Sequence, residues 1–178
     1  MKAARELMAA VAGAALCAAQ PASAVEAAAG GDGGHIRACI MAAAGLYELP
    51  PALLVILLNV EAGEIGKISQ NSNKTFDIGP MQVNNTWLKK IASHWRSSEG
   101  AAYLALRDNI CANLEGGAWI LRQAIDEAKG DLWEGVALYH SHTEIHKAAY
   151  LRQVLAHTRR LEKQAMAQSP AAADDGGR

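Results

Sequence analysis

Apolar residues return at helical spacing in several separate stretches of the chain. Ile36, Ile40, Ala43 and Ala44 share one side of a helix over Ile36 to Gly45, and Gly45 ends it. Leu49-Pro50-Pro51 starts the next helix, because the fixed φ of proline suits a first helical turn. That helix runs from Pro51 to about Ala62, and its Leu53 to Leu58 segment is apolar nearly all round. Such a helix belongs in the middle of a core, and it is too short to cross a membrane. Residues 63–78 are polar and rich in Gly, Asn and Thr, which predicts a loop with room for a short hairpin. Asn85 caps a short helix through Ser93, and Asp108 or Asn109 opens a long one that Gly130 stops after Lys129. Asp131 caps a further helix through Tyr139, and Thr143 caps the last, which reaches about Ala167. No run alternates convincingly at period two, so the fold class is all-α or nearly so.

The two ends read differently. Lys2 and Arg5, the apolar run Leu7 to Ala19, Pro21 and the small triplet Ala22-Ser23-Ala24 have the order of a secretory signal peptide cleaved after Ala24. The thirteen-residue run is too short for a membrane anchor, which needs about 20 residues. Residues 25–35 form an Ala- and Gly-rich flexible leader, residues 36–167 one domain, and residues 168–178 a low-complexity tail. Export places the mature chain in the periplasm, with no membrane span.

Export also changes the cysteine arithmetic. Loss of Cys17 leaves Cys39 and Cys111, an even number in an oxidising compartment. A bridge between them closes a loop of just over seventy residues, worth about 4 kcal/mol on the chain-entropy model. The alternative is two buried free thiols. A net charge of -1 over 178 residues argues against a nucleic-acid binder, which shows a basic face. Hydrophobic types at 51% allow a sizeable core.

Glu61 is the most informative single position. A carboxylate at the C-terminal end of an apolar helix is disfavoured both by burial and by the negative end of the helix dipole. A carboxylic acid still protonated near neutral pH is what general-acid cleavage of a glycosidic bond requires. The plainer reading is a solvated glutamate at a helix end, the fate of most glutamates. The segment Asn71 to Asn84 ends in amide side chains after a Gly79-Pro80 turn, and paired amide donors and acceptors suit sugar hydroxyls and acetamido groups. Its spaced oxygen residues lack the sixth-position glycine and twelfth-position glutamate of a calcium loop.

Together these segments resemble the lytic transglycosylases. Glu61-Ala62-Gly63, Asn73 to Asp77, and Gly79-Pro80-Met81-Gln82-Val83-Asn84 with Trp87-Leu88 stand in that family's order. Asn113-x-x-x-Gly117-Ala118-x-Ile120-Leu121 and Trp133-x-x-Val136-Ala137-x-Tyr139-His140-Ser141-x-Thr143 complete the set. The resemblance covers about Cys39 to Tyr150, and is greatest to the small branch found with type IV secretion, conjugation, pilus and type III secretion systems. It implies a goose-lysozyme-like helical domain acting on peptidoglycan glycan strands, with secretion or conjugation components as partners and no cofactor. It also implies that Glu61 is the single acid/base, forming a 1,6-anhydro sugar, and that Met81, Gln82, Asn84, Tyr139 and His140 contact the glycan, with Tyr139 beside the acid. Two positions depart from the common pattern: Ala62 replaces a serine, and His140 an asparagine. Tyr-His-Ser is frequent in the secretion-associated branch.

Competing chemistry is weaker. His142 and His146 are four apart, but the intervening Glu144 is out of place for the zinc-protease pattern and Thr143 is the helix cap, so no metal site is expected. Trp119 and Trp133 lie among apolar positions and are expected in the core. Glu64 and Asp77 are the nearby acids available as a second carboxylate, which would make the protein a lysozyme-type hydrolase. A non-catalytic glycan-binding or assembly protein is the reading from a different class.

Overall fold

The computed structural model describes residues 32–168. The expected signal peptide, most of the leader and all but the first residue of the tail lie outside the described residues. Seven helices and a three-stranded sheet follow in order: α1 (Asp32–Leu46), α2 (Pro51–Glu61), β1 (Ile68–Gln70), β2 (Phe76–Ile78), β3 (Val83–Asn84), α3 (Leu88–His94), α4 (Glu99–Asp108), α5 (Ile110–Glu127), α6 (Leu132–His140) and α7 (Glu144–Gln168). The nearly all-α class is as expected. No helix among the described residues is long and apolar enough to cross a membrane.

Helix α2 forms as the sequence dictates, with Pro50 extended at its N-cap and proline again at the first helical position. Leu54 and Leu57 are completely buried, each worth about 2–3 kcal/mol of apolar burial. Helix α5 is the central post, packed by α1, α4 and α6, while α7 crosses α2 and α6. Cys39 of α1 and Cys111 of α5 are joined in a disulfide, with Cα atoms 4.9 Å apart and a sequence separation of 72. Next to it, the Glu115 carboxylate accepts from the Tyr47 hydroxyl and from Trp95 Nε1, and so ties α1, α3 and α5 together.

Several details differ from the sequence reading. Helix α1 starts four residues early, at Asp32, so the end of the supposed leader is helical. Helix α4 was not foreseen; Ser98 caps it, accepting from Ala101 N at 3.2 Å. The hairpin gains a third strand, because Asp77 pairs with Asn84 and Ile78 with Val83 beyond the β1–β2 register. Asn84, not Asn85, is the cap of the following turn; Asn85 Oδ1 instead accepts from Phe76 N at 3.0 Å. Trp133 is 47% exposed rather than in the core, since Gly135, Val136 and Ala137 form the buried side of α6.

One polar group sits at the centre of this packing. Asn113 of α5 is fully buried, accepts from Met81 N at 2.7 Å, and donates to Ile78 O and Leu106 O, both at 2.9 Å. Gly79 must lack a side chain beside it, because a Cβ there would lie 2.5 Å from Asn113 Nδ2. Its φ of +64° also favours glycine. Replacing Asn113 by Ala strands three buried backbone groups, so a loss of about 3 kcal/mol or more is expected in denaturant unfolding. A loss below about 1 kcal/mol would show that the turn is held by other means.

Candidate active site

A groove of about 710 Å3 runs between the small sheet and the α6–α7 corner. Glu61 lies in it, with Asp77 and Asn84 on the sheet side, Tyr139 and His140 on the helix side, and Trp87 also in the wall. Glu61 is the last residue of α2, and the chain leaves it through Ala62 in the left-handed region at φ +49°. Gly63 then packs so tightly on the next turn that a Cβ would lie 2.1 Å from Gly79 O. This contact joins the Glu61 segment to the turn that Asn113 holds.

The turn itself divides the expected contacts. Met81 is fully buried, and its side chain packs where Gly117 offers no Cβ, so it does not face the groove. Its backbone does the work: the N–H goes to Asn113, and the carbonyl accepts from the Tyr139 hydroxyl at 2.8 Å. Gln82, held at φ +47°, lines the groove while its Nε2 donates to Gly79 O at 2.8 Å. Asn84 Nδ2 donates to Asp77 Oδ1 at 2.7 Å, and Asn71 Nδ2 donates to Asp77 Oδ2 at 2.9 Å. Asp77 is therefore a fixed carboxylate on the groove wall. Glu64, the other acid considered, is exposed and paired with Lys67 at 2.7 Å.

The hydroxyl that reaches Glu61 is that of Tyr150, not Tyr139. Tyr150 of α7 is 3% exposed and donates to Glu61 Oε1 at 2.5 Å. The sequence reading missed it, although a tyrosine on the inward stripe of the last helix with Val154 was the available signal: a buried hydroxyl needs a partner. The His140 ring lies flat on Tyr150, with centroids 4.4 Å apart and planes 1° from parallel. Trp87 meets Trp119 edge-on, and Trp119 in turn stacks on His94 at 4.7 Å, so this groove wall is braced from behind.

Burial raises the Glu61 carboxyl from 4.5 to about 7; the Tyr150 hydrogen bond works against this and the charge of Asp77 adds to it. Burial, together with Glu61, pushes both the Tyr139 and the Tyr150 hydroxyls above their ordinary range. At neutral pH the Glu61 carboxyl is thus about half protonated, and both phenols are neutral. His142 turns to Glu127 Oε1 at 2.9 Å rather than towards His146. His35 lies 3.5 Å from Cys111 Sγ, but both sulfurs of that cluster are committed to the bridge with Cys39.

A raised carboxyl costs stability when it ionises. The unfolded chain releases the Glu61 proton near 4.5 and the folded one near 7, so stability falls as pH rises between them and levels off above. The difference corresponds to about 3 kcal/mol. Glu61→Gln is accordingly expected to raise the melting temperature at pH 8 and to leave it nearly unchanged at pH 4, read by calorimetry. Equal effects at both pH values would mean that the carboxyl is not perturbed.

The chain was compared with known proteins. A search of the curated proteins gave no match. The family model described as "Transglycosylase SLT domain" matches residues 38–167, which include the groove, the Asn113 turn and both tyrosines. The chain belongs to the transglycosylase SLT family.

Proposed function

We propose that the protein is a periplasmic lytic transglycosylase in which Glu61 is the single acid/base. The family indicates transglycosylase-type action on peptidoglycan. The observation that carries the finer reading is the Glu61 carboxyl, protonated up to about pH 7 in an otherwise polar groove. Its proton goes to the oxygen bridging N-acetylmuramic acid and N-acetylglucosamine as the C1–O bond breaks, and the carboxylate left behind is the base for the next step. It takes the proton of the muramyl 6-hydroxyl while O6 bonds to C1, closing the 1,6-anhydro ring and restoring the acid. Tyr150 holds one carboxyl oxygen, leaving the other for the substrate. Gln82 supplies groove-wall amide and carbonyl groups for glycan hydroxyl and acetamido groups. The export signal and the Tyr139-His140-Ser141 sequence support a role in opening the wall locally for a secretion or conjugation apparatus.

A second reading rests on Asp77. A carboxylate fixed by two amide donors across the groove from an acid is the arrangement of a two-carboxylate glycosidase, which delivers water and leaves a reducing end. Digestion of purified peptidoglycan, with products read by mass spectrometry, separates the two. Anhydro-muropeptides are expected from the wild type, reduced at least about 100-fold by Glu61→Gln and retained in kind by Asp77→Asn. Reducing ends that disappear in Asp77→Asn would make the protein a hydrolase. No product from the wild type would leave a glycan-binding or assembly protein.

A further inference from the structure

His140 is the residue at which this chain departs from the usual asparagine, and its position differs from that of a simple sugar contact. One face of its imidazole is covered by the Tyr150 ring at 4.4 Å, and the other opens on the groove. Tyr150 is itself buried and spends its hydroxyl on Glu61. The three residues therefore form a short stack from solvent to carboxyl: imidazole, phenol ring, hydrogen bond. We propose that His140 is a positioning residue, a flat cover that keeps water away from Tyr150 and from the hydrogen bond between Tyr150 and Glu61. This deepens the proposed function and rests on it for its relevance to catalysis.

The physical basis is desolvation. The Glu61 carboxyl is held protonated chiefly by burial, and the donor from Tyr150 alone would pull it the other way. Any change that lets water reach this corner therefore favours the carboxylate. Asparagine has no ring to lie over a phenol, whereas imidazole matches it plane to plane. Burial and His146 both disfavour the imidazolium, while Asp77 favours it less strongly. The cover is thus biased towards its neutral form beside the acid. The groups facing this stack are Glu61 from α2, Asp77 from β2, Tyr139 from α6, and His146 from α7.

The test is the ionisation of Glu61 itself, followed by 13C NMR of glutamate-labelled protein and assigned by difference with Glu61→Gln. The wild-type carboxyl is expected to titrate at about 7. His140→Ala and His140→Asn open the corner and are expected to lower that value by about one pH unit or more, while His140→Phe, which keeps a flat ring, stays within about 0.3. A side chain that merely braced the fold would shift the melting temperature without this difference between Phe and Asn. An unchanged titration in both His140→Asn and His140→Ala would overturn the proposal, as would an equal fall in His140→Phe. The titration needs no substrate, so it is independent of the digest: a wild type that titrates as expected but releases no muropeptide removes the enzymatic reading alone.

Discussion

The buried side-chain amide of Asn113 holds three backbone groups, two flanking the Gly79-Pro80 turn and one in α4, and the groove depends on that arrangement. Its oxygen fixes Met81 N, and its nitrogen fixes Ile78 O and Leu106 O. Since Met81 also gives its carbonyl to Tyr139, the same short turn is clamped from α5 and from α6. Two glycines make the clamp possible, Gly79 beneath the amide and Gly63 beneath the turn, because a side chain at either would overlap its neighbours. Gly63 is two residues from Glu61. The position of the candidate acid relative to its groove wall is thus set by hydrogen bonds that satisfy buried polar groups, a constraint stronger than apolar packing because each lost partner is costly.

Against this rigid frame stands a deliberate conflict. Helix α2 is buried by Leu53, Leu54, Ile56 and Leu57, and it carries a carboxyl at its C-terminal end, where both burial and the helix dipole oppose ionisation. The fold accommodates the carboxyl by leaving it protonated to about pH 7 and by giving it one hydroxyl donor from a distant helix. The disulfide between α1 and α5 and the Glu115 network with Tyr47 and Trp95 lie away from that conflict and stabilise the central helix.

Much of this was legible in the sequence because the signals were local. Pro50-Pro51 and the Leu53 to Leu58 run define α2 and place Glu61 at its end, and the Gly79-Pro80 turn announces itself. Directions in space were less legible. Nothing in the order Met81-Gln82 shows that the first side chain turns into the core; that follows from Gln82 adopting φ +47° and from the hole left by Gly117, thirty-five residues away. Helix α4 was missed despite local signals, since Ser98 caps it and its buried residues Ala102 and Leu106 stand four apart. Tyr150 was missed because its partner lies 89 residues earlier, a separation to which no local pattern responds. Trp133 shows the reverse error: a large apolar residue in an apolar run, carried on the outer side of its helix.

The claim on which these relations converge is that the groove works through a carboxyl protonated near neutrality. The most direct measurement is the initial rate of peptidoglycan cleavage by the protein as a function of pH. A single break at about pH 7, with the rate falling about tenfold per pH unit above it, is the expected result. A rate that is already falling above about 4.5, or one sustained undiminished to about pH 9, would contradict it, because neither belongs to a buried Glu61 acting as the acid.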